Sequence, residues 1–364
     1  MKILHIIGSL EMGGAENLLI PLTAEQKRQG NDVSVLLLRK ANNPTVTQKI
    51  RSNGIAVEWL TEGSLYNPLL VIKLRPRISQ CDICHVHLFP SLYWAAFAKW
   101  LTKKPAPLVY TEHSTKNRRR KNPILKRVDR IVYQYAYQHV IACSEKARET
   151  YLEAYPSIKH ITAVNNGVDT MLNREAMPYM KSELLGISED SFVVTMVARF
   201  MFMKRQDTIV EAISKLPAKF HACLVGSEPN DEGLLKVKKI AEDLGVSDRI
   251  HFLYIRSDVP RILKSSDVVM MSSEYEGLSL SSIEGMAAGK PFIATDVNGL
   301  REVVSGAGEL FELYNSDQLA SILLRLESDK EYYSLVAKRC SQRAAEFDIK
   351  VMADKYSDIY YKVL

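Results

Sequence analysis

Short apolar runs recur along the whole chain, and longer amphipathic stretches separate them. The runs have the length of buried strands and are too short for helices. They cover residues 3–7, 32–38, 54–57, 82–87, 108–111, 140–144 and 161–164, and then 192–198, 222–226, 250–253, 267–272, 292–295 and 310–313. Strands that alternate with helices form parallel, doubly wound sheets. The sequence therefore predicts an α/β protein whose ligands bind beyond the carboxyl ends of its strands.

The length of the chain predicts two domains. At 364 residues it is too long for one ordinary core. A turn signal, Asn166-Gly167, lies near the middle, and we place the boundary after Asp169. The first domain then covers residues 1–169, and the second begins at residue 170. A hydrophobic content of 46% and a charged content of 25% are those of a soluble globular protein.

Cysteine usage and hydropathy predict a cytoplasmic location. Five cysteines in a chain of this size do not make a disulfide scaffold. Cys81 and Cys84 form a lone C-x-x-C, a pattern that also serves zinc and redox sites, but no second Cys/His pair lies near it. Core packing is therefore the favoured interpretation. The sequence has no signal peptide and no apolar run of about 18 residues, the minimum for a membrane-spanning helix.

The net charge of +6 conceals an asymmetry. Residues 1–169 contain 24 Lys and Arg against 13 Asp and Glu, whereas the remaining residues contain 24 against 29. An excess of positive charge on one side of the molecule predicts an anionic partner there.

Residues 267–304 read as a strand, a loop, a helix and a second strand. Ser281 and Ser282 are the expected N-caps of the helix, and the Gly289-Lys290-Pro291 run is expected to end it. A helix N-terminus that follows a strand offers free N–H groups to an anion. Glu276 in the loop and Glu284 in the expected first turn suit a ligand that carries hydroxyl groups as well as phosphate.

Glycines near the amino terminus suggest a second phosphate loop. Gly13 and Gly14 lie between the first strand and an amphipathic helix that starts at Ala15. Their spacing, together with Gly8, fits neither the Walker loop nor the dinucleotide fingerprint. Close approach of this loop to a diphosphate and a plain strand–helix turn both remain open.

Arg199 and Lys204 flank the start of another helix. Positive charges at a helix N-terminus oppose the helix dipole, so stability alone does not account for this pair. Arg and Lys both bind phosphate oxygens, Arg as a fork and Lys as a point charge. The pair therefore predicts an anion site.

Five landmarks, GGAE, TEHS, NGVD, the Arg199/Lys204 pair and EGLSLSSIEG, occur in this order along nearly the whole chain. Together they resemble the retaining glycosyltransferases of family 4, the group 1 glycosyltransferases, which have the GT-B fold. The resemblance implies two Rossmann-like doubly wound domains facing a central cleft. It also implies that the second domain ends near residue 346 and that a helix over about 347–364 crosses back to the first domain.

The resemblance assigns roles to individual residues. Glu276 would face the donor sugar, Glu284 the ribose hydroxyls, and Arg199 and Lys204 the donor diphosphate. His113, in TEHS, would lie near the reactive carbon of the donor. The residues expected to bind the nucleotide-sugar donor are Gly14, Arg199, Lys204, Arg256, Glu276, Gly277, Leu278, Ser279, Leu280 and Glu284. Tyr254 stands where a glycine is expected, which weakens the case for base recognition by the loop at Arg256.

Two further polar residues follow predicted strands of the first domain. His87 and Glu112 lie at the same predicted sheet edge as His113. A histidine just past a strand is often only a hydrogen-bonded loop residue, and this alternative is stronger for His87 than for His113. Glu112 is a candidate carboxylate on the acceptor side.

Residues 116–130, from Lys116 to Arg130, contain eight Lys and Arg and one acid, and aromatic residues surround the segment. A solvated basic loop, RNA binding, and binding to anionic lipid or a lipid-linked pyrophosphate are the three interpretations. No nucleic-acid motif is present, so no nucleic-acid partner is expected. The lipid interpretation is favoured, with Arg118, Arg119 and Arg120 as the predicted contacts.

The expected activity is retaining, metal-independent transfer of a hexose or N-acetylhexosamine. The donor is expected to be UDP-linked, and the acceptor a saccharide or lipid-linked molecule in surface polysaccharide or lipopolysaccharide assembly. The sequence contains no Asp-x-Asp element and no His/Cys cluster with the spacing of metal ligands, and neither a metal ion nor another cofactor is expected. Two alternatives remain: a UDP-sugar epimerase on the same scaffold, and a non-catalytic nucleotide- or polysaccharide-binding subunit. The expected location is cytoplasmic, with peripheral attachment at the inner face of the cell membrane.

Overall fold

A computed structural model of the chain describes residues 1–11, 13–113 and 118–364. Contacts divide it into two compact units. Unit 1 comprises Met1–Gly167 and Ile349–Leu364, and unit 2 comprises Val168–Asp348. These divisions fall beside the boundaries near residues 170 and 346 that the sequence predicts.

Unit 1 contains a parallel sheet of seven strands. The strands are β1 (Lys2–Ile7), β2 (Asp32–Arg39), β3 (Ala56–Thr61), β4 (Ile83–His87), β5 (Leu108–Glu112), β6 (His139–Ala142) and β7 (Ile161–Ala163). Their order is β3-β2-β1-β4-β5-β6-β7. The helices between them are α1 (Gly14–Arg28), α2 (Thr45–Ser52), α3 (Leu70–Arg77), α4 (Ser91–Trp100), α5 (Pro123–Tyr135) and α6 (Glu145–Ala154).

Unit 2 contains a second parallel sheet, with six strands. After the short helices α7 (Thr170–Arg174) and α8 (Lys181–Leu185) come β8 (Phe192–Val197), α9 (Gln206–Ser214), β9 (Phe220–Val225), α10 (Glu232–Asp243), β10 (Ile250–Tyr254), α11 (Val259–Ser265), β11 (Val268–Met271), α12 (Leu280–Ala287), β12 (Phe292–Thr295), α13 (Arg301–Val304) and β13 (Glu309–Phe311). The order is β10-β9-β8-β11-β12-β13. Two helices, α14 (Ser316–Ser328) and α15 (Lys330–Ala345), complete the unit, and α16 (Ile349–Val363) returns to unit 1.

The alternation of side chains along a strand gives unit 1 two apolar layers. In β1, Leu4 and Ile6 belong to one cluster and Ile3 and Ile7 to the other. The second cluster also contains buried residues of α1 and α16, and the two helices contact each other. His5 shares the face of Ile3 and Ile7, so its imidazole lies in the layer that α1 and α16 cover.

The cysteines support the packing interpretation of the C-x-x-C. All five are free, and Cys84 is fully buried in the first apolar layer. The sulfur atoms of Cys81 and Cys84 are 3.1 Å apart.

Candidate functional site

Lys204 and Glu276 form an ion pair in unit 2. Lys204 Nζ lies 2.5 Å from Glu276 Oε1, and both side chains are largely buried. The Ser273 hydroxyl donates to the same carboxylate oxygen at 2.7 Å. The cation predicted for the diphosphate and the carboxylate predicted for the sugar are therefore in direct contact.

Hydrogen bonds tie the two loops that carry this pair. The Ser272 hydroxyl donates to the carbonyl oxygens of Lys204 at 2.9 Å and Arg205 at 2.8 Å. The Glu274 amide donates to the Met203 carbonyl at 2.8 Å. Because the bonds involve backbone atoms of both loops, they fix the separation of Lys204 and Glu276 without help from the ion pair.

Gly299 packs directly against the backbone of the Glu276 loop. Its φ of +87° is in the left-handed region, and a Cβ atom there would overlap the carbonyl oxygens of Glu276 and Gly277, the latter at 2.5 Å. The Glu276 amide donates to the Asn298 carbonyl at 3.2 Å. Only glycine allows this close approach of two backbone segments.

Helix α12 begins beside Glu276, but its cap differs from the predicted one. Ser279 is the N-cap, and its hydroxyl accepts from the Ser282 amide. The prediction of Ser281 or Ser282 was wrong because Leu280 already has helical geometry, which places both serines inside the first turn. Within the described residues, the amides of Gly277, Leu278, Leu280 and Ser281 donate no hydrogen bond. These four N–H groups are available to an anion.

Glu284 lies one turn further into α12 than the sequence predicted. The helix has no acidic residue in its first turn. Burial raises the pKa of Glu284 to about 7, because desolvation disfavours the carboxylate. A carboxyl group with this pKa is poised to bind a pair of hydroxyl groups when it is ionised.

The three cations near β8 differ in their surroundings. Arg199 is exposed, and among the described residues no carboxylate oxygen lies within 4 Å of its guanidinium. Arg205 has a positive φ of 52°, pairs with Asp207 at 2.6 Å and lies over the Tyr314 ring at 4.6 Å. Arg205 is therefore held by unit 2 itself, whereas Arg199 remains open to a ligand.

Arg256 is held by a neighbouring carboxylate. Its Nε and Nη2 atoms donate to Asp258 at 2.8 Å and 2.6 Å, and this contact lowers the pKa of Asp258. Tyr254 has a positive φ of 53°, the conformation that the expected glycine would favour. The loop geometry is thus preserved without the glycine.

In unit 1, the glycine loop at the start of α1 has an acidic neighbour, Glu16. Gly13 is the N-cap, and Gly14 is the first helical residue. A Cβ atom at Gly13 would overlap the carboxylate of Glu16, whereas one at Gly14 would meet nothing within 4 Å. Burial and the nearby Glu11 raise the pKa of Glu16. A carboxylate therefore lies at the helix N-terminus where Gly14 was predicted to contact the donor phosphate.

A cluster of four histidines extends from the interior of β1 and β4 to the carboxyl ends of β4 and β5. Its members are His5, His85 and His87, which are buried, and His113, which is half-buried just after β5. His5 Nδ1 lies 3.0 Å from His87 Nε2, and His87 Nδ1 lies 3.2 Å from His113 Nε2. Burial lowers the pKa of every member, to about 4 for His5 and His113, so all are neutral near pH 7.

Three of these imidazoles are also as close together as metal ligands. One ring nitrogen from each of His5, His85 and His87 lies within 4.8 Å of the others. All six ring nitrogens of the three residues already have hydrogen-bond partners at 2.5 to 3.2 Å. Hydrogen bonding therefore accounts for the cluster.

Two of the three arginines predicted to contact lipid, Arg119 and Arg120, point inward instead. Arg119 is 12% exposed and lies 3.8 Å from the buried Asp129, and its guanidinium lies over the Phe89 ring at 4.8 Å. Arg120 is 10% exposed and donates to Glu112 Oε2 at 3.1 Å. The prediction of a lipid contact was wrong for both, and Glu112 serves as a partner of Arg120. Lys116 and the side chain of Arg118 lie outside the described residues.

The exposed cations of this region lie on α5 and just before it. They are Lys121, Lys126, Arg127 and Arg130. Ile124 is 73% exposed and Tyr135 71%, and Leu125 and Ile131 are exposed as well. This set of basic and apolar side chains, from Lys121 to Tyr135, is called the α5 surface below.

Two sequence-profile matches identify the family, one for each half of the chain. The profile "Glycosyl transferases group 1" matches residues 181–347, and "Glycosyltransferase Family 4" matches residues 12–172. The chain belongs to the group 1, family 4 glycosyltransferases. The predicted family and the transferase activity are thereby confirmed.

Individual relatives agree with this assignment. The chain is 28% identical to N-acetyl-alpha-D-glucosaminyl L-malate synthase of Bacillus anthracis over 291 residues, 78% of this chain and 75% of the relative. It is also 28% identical to UDP-Gal:alpha-D-GlcNAc-diphosphoundecaprenol alpha-1,3-galactosyltransferase of Escherichia coli over 294 residues, 77% of this chain and 75% of the relative.

A solved structure confirms the predicted fold. HepE of Anabaena in complex with UDP superposes with a TM-score of 0.85 and 25% identity, covering 100% of both chains. The described residues of this chain form the two Rossmann-like units of the GT-B class, with seven and six parallel strands. Among the described residues, no helix combines the length and apolar character needed to cross a membrane.

Proposed function

We propose that this glycosyltransferase moves a hexose or N-acetylhexosamine from a UDP-sugar to a saccharide or lipid-linked acceptor, with retention of configuration and without a metal ion or other cofactor. The Lys204–Glu276 ion pair carries the proposal, because it lies beside the four free amides at the start of α12. A diphosphate next to a sugar requires this combination of positive charge, N–H donors and a hydroxyl-binding carboxylate.

The proposed roles of the unit 2 residues follow from their surroundings. Arg199, Lys204 and the α12 amides stabilise the charge that develops on the leaving diphosphate. Glu276 accepts hydrogen bonds from sugar hydroxyls, and Glu284 accepts them from the ribose. The leaving phosphate takes the proton of the acceptor hydroxyl, so no protein nucleophile is required.

The relatives support the proposed donor and acceptor. The Anabaena HepE structures contain UDP, UDP and glucose, or UDP-glucose. The name of the Escherichia coli relative specifies a UDP-galactose donor and a diphosphoundecaprenol-linked acceptor. For this chain we propose a role in surface polysaccharide or lipopolysaccharide assembly.

Incubation with UDP- and GDP-sugars, with and without an undecaprenyl diphosphate-linked sugar, tests the activity. Consumption of a UDP-sugar only when the acceptor is present is the expected result. A sugar isomerised without acceptor would indicate an epimerase, and tight UDP binding without turnover would indicate a non-catalytic subunit. Full activity in EDTA is expected, and activity restored only by a divalent cation would contradict metal independence.

The α5 surface supports peripheral attachment to anionic membranes. Its cations attract anionic head groups, and its exposed Ile124, Leu125, Ile131 and Tyr135 side chains enter the interface. Each Lys or Arg near such a surface contributes about 1 kcal/mol. The acceptor proposed above, if lipid-linked, resides in the same membrane.

Sedimentation with vesicles of anionic and neutral lipid tests this attachment. We expect salt-sensitive binding to anionic vesicles that falls about 100-fold when Lys126, Arg127 and Arg130 become Ala, since three contacts of about 1 kcal/mol are lost. Replacing Lys330, Lys338 and Arg339 on α15 removes the same charge from another exposed helix and is expected to change binding little. Equal binding by the two variants would contradict the α5 surface as the contact.

A further inference from the structure

The histidine cluster forms part of one continuous chain of hydrogen bonds. The carboxamide of Gln26, in α1, lies at the centre of this chain of hydrogen bonds. Gln26 Oε1 lies 2.7 Å from His5 Nε2, and Gln26 Nε2 donates to the Tyr360 hydroxyl at 3.2 Å. From Tyr360 the chain continues to His85 Nδ1 at 2.5 Å, and from His85 Nε2 to the Thr111 hydroxyl at 2.6 Å.

The direction of each hydrogen bond follows from the one before it. A neutral imidazole has one N–H group and one lone pair. Because the Gln26 oxygen only accepts, His5 Nε2 carries the hydrogen, and His5 Nδ1 accepts from His87 Nε2. His87 Nδ1 is then unprotonated and accepts from His113 Nε2.

At one end, this chain of hydrogen bonds stops at the Nδ1 atom of His113. His113 Nδ1 is left unprotonated by this sequence of bonds, and it is buried without a hydrogen-bond partner among the described residues. A Gln26 carboxamide turned by 180° would reverse every bond and place a hydrogen on His113 Nδ1 instead. The orientation of the Gln26 carboxamide thus determines whether His113 Nδ1 carries a lone pair or an N–H group.

We propose that Gln26, His5 and His87 are positioning residues that hold His113 in the tautomer with an unprotonated Nδ1, ready to accept a hydrogen bond from a substrate hydroxyl. The tautomer follows from unit 1 alone, whereas the hydroxyl partner rests on the proposed function. The hydrogen bonds that run from Gln26 through His5 and His87 to His113 are called the relay below. An unprotonated His113 Nδ1 repels the lone pairs of a carboxylate or phosphate beside it, so the relay favours neutral, hydroxyl-bearing groups next to this nitrogen.

Three observations favour this relay over a metal site. The ring nitrogens of His5, His85 and His87 are all engaged, none of their hydrogen-bond partners in the described part of the chain is a carboxylate, and the two hydrogen bonds of His85 are short. A divalent cation would have to break these bonds without gaining an anionic ligand.

Long-range ¹H–¹⁵N correlation of the histidine rings at pH 7.5, without substrate, reads the tautomers directly. Signals lost in His113→Asn identify His113. We expect an unprotonated Nδ1 in the wild-type protein, a mixture of tautomers in Gln26→Leu, and the wild-type pattern in Tyr356→Phe. Tyr356→Phe is the matched control, because it removes a buried hydroxyl of the same layer, bonded to Thr111, but leaves both partners of the Gln26 carboxamide, His5 and Tyr360, in place.

A protonated His113 Nδ1 in the wild-type protein, or an unchanged tautomer in Gln26→Leu, would overturn the proposal. If Gln26→Leu does not fold, the protonation state of His113 Nδ1 in the wild-type spectrum decides the proposal by itself. Loss of the His5, His85 and His87 ring N–H signals on addition of Zn²⁺ would show a metal site instead.

The Gln26→Leu variant also has an expected kinetic effect. Its kcat/KM is expected to fall about tenfold, the order of one net hydrogen bond. Because the tautomer is measured without substrate, a wrong tautomer prediction can be distinguished from a wrong assignment of the activity.

Discussion

Glu284 is expected to lower the stability of the protein at neutral and alkaline pH. Its pKa in the folded protein is about 7, against 4.5 as the ordinary value. Between these values the folded protein binds more protons than the unfolded chain, so the free energy of unfolding falls as pH rises. Glu284→Gln keeps the neutral form, and we expect it to be about 3 kcal/mol more stable than wild type at pH 8 but within about 1 kcal/mol of wild type at pH 5. Urea unfolding at both pH values checks this.

The same substitution is expected to weaken UDP binding, which separates stability from function at this position. An ionised Glu284 accepts two hydroxyl hydrogen bonds, whereas Gln offers a single acceptor oxygen. Wild-type affinity measured by calorimetry should therefore fall as pH drops below about 7. A Glu284→Gln variant that is stabilised at pH 8 yet binds UDP as wild type does would contradict the ribose role.

Lys204 and Arg199 are expected to contribute to catalysis in different ways. Lys204→Ala removes the cation 2.5 Å from Glu276, and we expect kcat/KM to fall at least about 100-fold, as for loss of one preorganised charge stabiliser. Arg199→Ala removes an exposed side chain and is expected to raise the donor KM without changing stability. Lys215→Ala is the control, because Lys215 pairs with Asp317 on the surface. Unimpaired turnover in Lys204→Ala would contradict its role.

At the scale of elements, the contact between the Gly299 turn and the Glu276 loop is expected to determine donor binding. Gly299→Ala places a methyl group against two backbone carbonyls, and Gly306→Ala places one where nothing lies within 4 Å. Both glycines have a positive φ, +87° and +78°, so both variants incur about 1–2 kcal/mol of backbone strain. Only Gly299→Ala should also displace Glu276, and it should lose UDP-sugar affinity and more stability in calorimetry and thermal unfolding. Equal effects of the two substitutions would contradict this contact.

The order and type of the elements could be predicted because the signal is local. Residues 292–295 were predicted as a strand, and β12 has the same bounds. The α12 cap was missed by a few residues, since Ser279, Ser281 and Ser282 are equally good caps and only the backbone selects among them. Helix ends depend on such small differences.

Contacts between side chains could not be predicted where they depend on how the chain folds. Arg119 and Arg120 lie in a basic run, and the pattern of the sequence does not show that Asp129 and Glu112, within about ten residues of them, turn them inward. His5 and His85 look like ordinary strand residues until the register of β1 and β4 places them side by side. Gln26 and Tyr360 are 334 residues apart, so their hydrogen bond has no local signal.

For the whole molecule, unit 1 depends on the last residues of the chain. Helix α16 supplies Met352, Tyr356 and Tyr360 to the apolar layer that also contains Ile3 and Ile7 of β1. Unit 2 lies between the two segments in sequence and has separate apolar clusters. Destabilising α16 should therefore affect unit 1 first.

Tyr356→Ala tests this dependence. Tyr356 is fully buried, and its ring lies 5.1 Å from the His85 ring. Its truncation leaves a cavity and is expected to destabilise unit 1 by about 3–5 kcal/mol, the usual range for a buried aromatic residue. Hydrogen exchange resolved by peptide should accelerate throughout β1–β7 and remain unchanged in β8–β13. Phe292→Ala, which truncates a fully buried residue of unit 2, should give the opposite pattern. Acceleration of both units by Tyr356→Ala to the same extent would mean that the chain unfolds as one cooperative body.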